Sequence, residues 1–177
     1  RSAAEQGDAQ AQYNLGNLLY KGQGVEKNYK EAVKWYRSSA EQGFARAQHN
    51  LGKMIHNGEG LEKNDQEAVK WFYSAAEKGD AHAQSDLGSM LYYGQGMEKN
   101  YKEAVKWFRS AAEQGYAQAQ CNLGSMIYNG EGEEKNYKEA VKWYRAASVQ
   151  GDAQAQFHLG TMIYHGRGVK KNYNEAD

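Results

Sequence analysis

Histidine and cysteine are the side chains in this sequence that could bind a metal or act as nucleophiles. Two pairs of histidines, His49 with His56 and His158 with His165, are each seven residues apart, so each pair lies on one side of a helix. Zinc requires three or four convergent ligands, and we therefore expect no metal site. The single cysteine, Cys121, has no basic neighbour in its own helical turn that would activate its thiol.

Pairs of glycines separated by one residue, such as Gly22 and Gly24, are a second candidate for chemistry because such loops can approach a phosphate. A dinucleotide-binding loop needs a third glycine and a preceding strand, and no Gly-Lys-Ser/Thr follows these pairs. We interpret them as helix caps, since glycine readily adopts the left-handed conformation that ends helices. No cofactor and no catalytic residue is therefore expected, and no Ser-x-x-Lys motif supplies an activated serine.

Composition excludes two kinds of partner. The 22 Lys and Arg residues balance 22 Asp and Glu residues, which indicates no basic face for nucleic acid. The longest apolar runs are only a few residues, so membrane insertion is not expected. Neither nucleic acid nor membrane insertion is therefore expected of this chain.

A 36-residue unit repeated without insertion or deletion accounts for the whole sequence. Its copies occupy residues 9–44, 45–80, 81–116 and 117–152, with the end of a preceding copy at 1–8 and a truncated copy at 153–177. A period of this length is typical of stacked repeats. Because both termini interrupt a copy, we expect a monomer, or end-to-end association through exposed terminal repeats.

Each copy contains two helical patterns, which we name helix A and helix B. In the third copy, helix A starts at Ala81 and ends at Gly94, and its apolar residues fall on one side. Helix B starts after Asn100, with Glu103 three residues later as in a capping box, and it ends at Gly115. The capping pair recurs in the other copies as Asn28/Glu31, Asn64/Glu67, Asn136/Glu139 and Asn172/Glu175.

Aromatic residues and glycines predict how these helices pack. Each helix B carries two adjacent aromatic residues at core spacing, which we interpret as packing rather than as a stacking platform: Trp35/Tyr36, Trp71/Phe72, Trp107/Phe108 and Trp143/Tyr144. A glycine in the middle of a helix costs about 1 kcal/mol relative to alanine. Its recurrence predicts a close approach of two helix backbones at Gly16, Gly52, Gly88, Gly124 and Gly160. The expected fold is an all-α solenoid whose units bury their apolar faces only against neighbours.

Five positions of helix A, the second, fifth, ninth, twelfth and thirteenth, vary between copies while the core positions barely change. They lie on the face opposite the apolar stripe. Drift on an idle surface is one explanation, but Lys and Glu would serve solubility better than the Tyr, His and Phe found there. We therefore predict that this face is a groove for a partner. The candidate contact residues are Tyr13, Asn17, Tyr20, His49, Lys53, His56, Ser85, Tyr92, Tyr93, Cys121, Tyr128, Asn129, Phe157 and Tyr164.

The unit resembles the Sel1-like repeat family, a relative of the tetratricopeptide repeats. The resemblance is carried by AHAQSDLGSMLYYGQG (Ala81–Gly96) followed by KNYKEAVKWFRSAAEQG (Lys99–Gly115), and by the 36-residue spacing. It implies a right-handed α/α superhelix with helices A lining the concave side. Family members serve as adaptor scaffolds, often in the periplasm, the secretory pathway or outside the cell, which leaves the compartment open.

The function that these observations favour is a non-enzymatic scaffold that binds a protein or peptide in the concave groove. We expect Tyr92, Tyr128 and Phe157 to be its central anchors, and acidic partners to be disfavoured because the groove carries little net charge. The alternative is a cell-envelope hydrolase with β-lactamase-like activity, or a glycan-binding member of the same family. A cysteine-rich branch is associated with such activity, but it has a cysteine pair in every repeat, unlike this sequence.

Overall fold

The computed structural model describes residues 2–170, and within that range the chain forms ten helices and no strand. The predicted capping pair Asn172/Glu175 lies outside the described residues. From α2 onward, even-numbered helices are helix A of a repeat and odd-numbered helices are helix B. The helices are α1 Ser2–Glu5, α2 Ala9–Lys21, α3 Tyr29–Glu41, α4 Ala45–Asn57, α5 Asp65–Glu77, α6 Ala81–Tyr93, α7 Tyr101–Glu113, α8 Ala117–Asn129, α9 Tyr137–Val149 and α10 Ala153–His165.

The helices group into two compact units. The first consists of Arg1–Ala83 with Gly94–Glu98, and the second of Gln84–Tyr93 with Lys99–Asp177. Within the first unit α2 packs on α3, α3 on α4, and α4 on α5. Within the second, α7 packs on α8, α8 on α9, and α9 on α10. Within each unit these helices thus contact their neighbours in sequence, as expected for stacked repeats.

The helix boundaries follow from capping. Each described helix B begins after an asparagine whose side-chain oxygen accepts a hydrogen bond from the backbone N–H three residues on, at 3.0 Å for Asn100 and Glu103. The reciprocal half of the predicted capping box is wrong, because the Asn100 N–H donates instead to the carbonyl of Leu91 in helix A, at 2.9 Å. The glutamate carboxylate is therefore free for other partners, and Glu139 uses it to bind Arg109.

Helix A has a side-chain cap only where an aspartate precedes it. Asp8, Asp80 and Asp152 accept hydrogen bonds from the first turns of α2, α6 and α10, whereas Phe44 and Tyr116 make no side-chain cap. The C-terminal ends follow the glycine prediction. The residue after α8, Gly130, has φ 77°, a left-handed conformation that closes the last turn.

The glycine in the middle of helix A makes room for an aromatic ring rather than for another backbone, which corrects the sequence-based expectation. A Cβ at Gly88 would lie 2.9 Å from Cδ1 of Phe108, in helix B of the same repeat. The same contact joins Gly16 to Tyr36, Gly52 to Phe72 and Gly124 to Tyr144. Phe108 is buried as a result, at 2% exposure, and the ring lies directly on helix A.

The predicted aromatic core is only half right. The second residue of each aromatic pair is buried, whereas its tryptophan neighbour is partly exposed. The buried set is Tyr36, Phe72, Phe108 and Tyr144, and the partly exposed set is Trp35, Trp71, Trp107 and Trp143. One ring per repeat therefore fills the space beside the helix A glycine, and the indole lies at the edge of the core.

Backbones do approach closely, but in the loop after helix A. The second glycine of each Gly-x-Gly loop packs on the start of helix B in the preceding repeat. A Cβ at Gly132 would collide with the carbonyl oxygen of Tyr101. A Cβ at Gly96 would collide in the same way with the carbonyl of Asp65. This contact joins each repeat to the one before it, and only glycine fits.

Buried glutamines make a second set of contacts between repeats, which the sequence analysis did not single out. The Nε2 of Gln120 in α8 donates to the carbonyl of Ala112 in α7, at 3.1 Å. Its Oε1 accepts from Nε2 of Gln150 at the end of α9, at 2.9 Å. Burying an amide requires that its polar atoms find partners, and these are found in the preceding repeat, at Ala112, and in its own repeat, at Gln150. The available signal was a glutamine at the fourth position of helix A in every copy.

Replacing the second loop glycine should destabilise the protein more where a preceding repeat covers it than where none does. Gly132→Ala would place a Cβ against the Tyr101 carbonyl, whereas Gly24 has the same kind of left-handed φ, 70°, and nothing within 4 Å. We expect Gly132→Ala to lower the free energy of unfolding by about 1–3 kcal/mol more than Gly24→Ala. Urea denaturation followed by circular dichroism measures both, and equal losses would contradict the backbone contact.

Candidate functional site

The variable face of helix A carries the candidate binding residues, and twelve of the fourteen have at least partly exposed side chains. They do not form one continuous pocket. The ninth, twelfth and thirteenth positions of one helix A and residues of the next helix A enclose separate pockets, which recur along the chain. Three such pockets lie wholly within a unit and share one design.

The pocket between α2 and α4 belongs to the first unit and has a volume of about 270 Å³. The candidate residues Asn17, Tyr20 and Lys53 line it, together with Tyr13 at one end. Its floor is the buried ring of Tyr36, whose hydroxyl donates to Oδ1 of Asn17 at 2.7 Å. Burial raises the pKa of Tyr36, so the hydroxyl stays protonated and continues to donate.

The second unit contains two equivalent pockets. The one between α6 and α8 has a volume of about 180 Å³, with Tyr92 and Tyr93 on its rim and the ring of Phe108 as its floor. The one between α8 and α10 has a volume of about 200 Å³, with Tyr128 and Asn129 on its rim. Its floor is Tyr144, whose pKa burial raises to about 12.

The rim tyrosines are held in place by contacts on both sides. The ring of Tyr92 packs on that of Tyr101, the first residue of its own helix B, with centroids 5.1 Å apart. Its hydroxyl donates to the carboxylate of Glu131, in the loop of the next repeat, at 3.2 Å. Burial, and then the charge of Glu131, raise the pKa of Tyr92. The ring is therefore oriented before any partner binds.

The same arrangement holds the other two rim tyrosines. Tyr128 packs on Tyr137 at 5.2 Å and its hydroxyl contacts the guanidinium of Arg167 in the next repeat. Tyr20 packs on Tyr29 at 5.2 Å. Its pKa is raised by burial and then by a hydrogen bond with Glu59. The partner of the hydroxyl is thus acidic in two pockets and basic in the third.

His56 occupies the rim position of the second repeat, and its partner changes with it. Where the other complete repeats pair two tyrosines, His56 Nδ1 forms a hydrogen bond with Oδ1 of Asp65 at 2.7 Å. The imidazole is partly buried by this contact. His56 is therefore engaged within its own repeat, in the way that the rim tyrosines engage the first residue of helix B.

Two candidate residues are wrong as surface contacts. Ser85 and Cys121, both at the fifth position of helix A, are buried with exposures of 3% and 2%. The fifth position lies beside the start of the next repeat, so short side chains are covered there. The ring of Tyr13, at the same position, packs on the ring of Phe44, with centroids 5.1 Å apart. Phe157 of α10 is 71% exposed. The fifth position is thus covered where a following repeat packs against it, and Phe157 lies in α10, which no described repeat follows.

The outer residue Arg109, on helix B, is the centre of an ion-pair cluster. Its guanidinium donates to Oε1 of Glu139 at 2.8 Å and to both carboxylate oxygens of Glu133, at 2.8 and 2.9 Å. Although burial alone would lower it, the pKa of Arg109 is raised by these two carboxylates, and the hydrogen bond from Arg109 lowers the pKa of Glu139. Arg109 thus links consecutive helices B within the second unit.

Two properties of the described residues concern metal binding and membrane insertion. Between residues 2 and 170, His, Cys, Asp and Glu side chains do not gather in groups of three or more that could hold a metal ion. Of the helices in that part of the chain, none has the length and apolar character needed to cross a membrane.

Paired helices repeating every 36 residues, with inter-repeat pockets on one helix of each pair, define the α/α solenoid class of helix-turn-helix repeat proteins. Comparison with known proteins gives the family. The Sel1 repeat model matches residues 9–44, 45–80, 81–116, 117–152 and 153–176. The chain belongs to the Sel1 repeat family. The family's solenoid fold is commonly used for protein interaction and is generally a non-enzymatic scaffold.

Solved structures of similar proteins share the fold over nearly the whole chain. The protective antigen c5321 of uropathogenic Escherichia coli is 40% identical, with a TM-score of 0.94 over 98% of this chain and 37% of its own. A Sel1 repeat protein from Oxalobacter formigenes is 41% identical, with a TM-score of 0.90 over 97% of this chain and 70% of its own.

A curated relative shares a shorter segment. A Sel1-like repeat-containing protein of Acanthamoeba polyphaga mimivirus is 52% identical over 33 residues, or 19% of this chain and 6% of that protein. This chain thus spans little more than a third of the E. coli antigen and a small part of the viral protein.

The Cys121 thiol should be unreactive in the folded protein. Burial, and then the neighbouring charge of Asp152, raise its pKa to about 12, so the thiolate is scarce at neutral pH. We expect an aromatic disulfide reagent at pH 8 to label less than a tenth of Cys121 in the time that labels the urea-unfolded chain completely. Labelling at the same rate in both states would place the thiol at the surface.

The Arg109 cluster should make stability depend on pH. Since the folded-state pKa of Glu139 is depressed, its contribution is present above the ordinary value of 4.5 and is lost as the pH falls through the folded value. We expect Arg109→Gln to cost about 1 kcal/mol at pH 7 and clearly less at pH 3. Urea unfolding at both pH values measures this, with Lys102→Gln, an exposed change on the same helix, as the control. A cost for Arg109→Gln that is independent of pH would contradict the assignment.

Proposed function

We propose that this chain is a non-enzymatic scaffold that binds an extended peptide segment of a protein partner along the variable face of helices A. The observation that carries the proposal is the repeated pocket. It has a fixed tyrosine on its rim, a buried aromatic ring as its floor, and a polar residue from the following helix A on its wall. A repeated pocket suits a repeated ligand, and a polypeptide presents side chains at regular intervals.

Pocket size supports a peptide side chain over a whole small molecule. Pockets for drug-sized ligands typically hold about 300–1,000 Å³, whereas these pockets have volumes of about 180, 200 and 270 Å³. Volumes of this size accept one side chain each. The floor is apolar or aromatic and the rim offers hydroxyl and amide groups, so an apolar side chain can enter while the peptide backbone stays hydrogen-bonded.

Rigidity of the rim also favours binding. Tyr92 and Tyr128 are each fixed by a ring contact in their own repeat and a hydroxyl contact in the next. Ordering a flexible side chain costs about 0.5–1.5 kcal/mol on binding, and these rings are already ordered. Phe157 adds an exposed ring on α10. We assign Tyr92, Tyr128 and Phe157 as anchors, with Asn17, Lys53 and Asn129 as polar contacts.

The raised pKa values of the candidate nucleophiles argue against the hydrolase alternative. Cys121 has a raised pKa because of burial and the charge of Asp152, whereas a catalytic thiol needs a lowered one. The aromatic pockets hold hydroxyl groups whose pKa is also raised, at Tyr92 by burial and Glu131 and at Tyr144 by burial. Such groups donate hydrogen bonds and do not attack substrates at neutral pH.

Removing the three anchors together should weaken binding of a selected peptide. Peptides chosen from a random display library against the unaltered protein supply the ligand. We expect the triple variant Tyr92→Ala, Tyr128→Ala, Phe157→Ala to raise Kd at least tenfold, since such anchors are worth about 2 kcal/mol or more each when truncated. Fluorescence anisotropy measures Kd, and circular dichroism checks that helix content is retained.

A matched control removes an aromatic ring from the other face. Tyr73 in helix α5 is 44% exposed, and Tyr73→Ala should leave Kd within twofold. If instead substitution of the outer residues Lys34, Lys106 and Arg109 abolishes binding while the anchor variant binds normally, the site lies on helices B and the proposal is wrong.

A further inference from the structure

A cavity of about 680 Å³ in the first unit has a different character from the aromatic pockets. It lies between the N-terminal half of α4 and the segment that joins α5 to α6. Arg46 and Lys53 line it from α4, and Lys78 lines it from the joining segment. The carboxylate among its described lining residues is Asp80, which accepts a hydrogen bond from the Ala83 N–H at 2.9 Å as the cap of α6. The cavity is therefore basic.

These three cations are peculiar to the second repeat. The positions of Arg46, Lys53 and Lys78 are occupied in every other copy by uncharged or imidazole side chains. Their counterparts are Gln10, His82, Gln118 and Gln154 for the first, Asn17, Ser89, Ser125 and Thr161 for the second, and Gln42, Gln114 and Gln150 for the third. The repeat thus forms without any of these charges, so its packing does not require them.

The geometry holds Lys78 at the cavity. Its Nζ donates to the carbonyl of Gly43 at 2.8 Å and to Oε1 of Gln48 at 3.2 Å. An ammonium has three protons, so one remains for a ligand. Beside it the rings of His49 and His82 stack with centroids 5.7 Å apart and line the same cavity. One ammonium held at the cavity, with two further cations lining the same cavity, suits an anion.

We propose that this basic cavity, defined by Arg46, Lys53 and Lys78, binds the carboxylates of an acidic peptide segment. The inference rests on the proposed function for the peptide nature of the partner and adds its charge. It differs from the expectation that strongly acidic partners are disfavoured, which was based on the small net charge of the groove as a whole. Lys53 also lines the aromatic pocket between α2 and α4, so a peptide can occupy both places in succession.

Carboxylates are favoured over a nucleic-acid backbone by the distribution of charge. Nucleic acid is bound by several cations spread along its phosphates. Here 22 basic residues are balanced by 22 acidic ones over the chain, and three cations line one cavity. Arg46 can pair with a carboxylate through two hydrogen bonds, and Lys53 and Lys78 supply point charges for a second.

The test compares two triple variants with equal loss of charge. The cavity variant, Arg46→Gln, Lys53→Asn, Lys78→Gln, copies residues that other repeats hold at the same positions, and a glutamine at 78 can keep the bond to Gln48 that Gln114 makes to Gln84. The control variant, Lys30→Gln, Lys102→Gln, Lys138→Gln, removes three exposed lysines of helix B and copies Gln66. Both should fold.

The probe is fluorescein-labelled octaglutamate, measured by anisotropy at 50 mM NaCl. We expect the cavity variant to raise Kd at least tenfold, the control variant to change Kd less than twofold, and 500 mM NaCl to weaken binding to the unaltered protein. Equal weakening by both variants, or no binding of octaglutamate by the unaltered protein, would overturn the proposal. If a selected neutral peptide still binds when octaglutamate does not, the proposal of an acidic partner fails and the proposed function as a peptide-binding scaffold is retained.

A second probe distinguishes the class of anion. A labelled single-stranded oligonucleotide of eight thymidines should bind at least tenfold more weakly than octaglutamate. If the oligonucleotide binds as tightly and loses its affinity in the cavity variant, the cavity recognises phosphate and the assignment to carboxylates is wrong.

Discussion

The contact between the helix A glycine and the helix B aromatic ring is the constraint on which the rest of the structure depends. Because Gly88 has no Cβ, the ring of Phe108 can lie 2.9 Å from where that atom would be, directly against the helix backbone. The contact recurs between Gly124 and Tyr144. It sets how closely the two helices of a repeat approach. It also leaves one edge of the ring facing the variable side, where the ring becomes the floor of a pocket.

Contacts between repeats then turn these floors into enclosed pockets. The buried glutamine, the second loop glycine and the hydroxyl of the rim tyrosine each link a repeat to its neighbour within a unit. Their positions fix how one helix A stands against the next. The walls of each pocket come from two repeats, so a single repeat has a floor and a rim but no enclosed pocket.

Differences between repeats give these similar pockets different linings. The rim tyrosine contacts an acidic residue at Glu131 and a basic one at Arg167, and the second repeat replaces the tyrosine with His56. The second repeat also carries the cations Arg46, Lys53 and Lys78. A solenoid can vary such residues one repeat at a time because each position contacts only adjacent repeats. The charge and the aromatic character of the groove are therefore set locally.

The sequence by itself determined the repeat boundaries, the helix boundaries and the side of helix A that faces away from the core. Local rules are sufficient for these features, because a glycine cap, an asparagine N-cap and a 3.6-residue period act within a few residues. The variable positions are also visible in the sequence. Comparing copies within one chain separates the residues that the fold requires from those that can change without loss of the fold.

Only the tertiary structure decided which of those positions a partner can reach. Ser85 and Cys121 share a helical position with the exposed Phe157, and they are buried because a following repeat covers that position, whereas no described repeat follows α10. The role of the mid-helix glycine was likewise decided by packing, since spacing indicates a close approach but not whether a backbone or a ring makes it. Both depend on contacts between residues 20 to 36 positions apart in sequence, which periodicity along one helix does not encode.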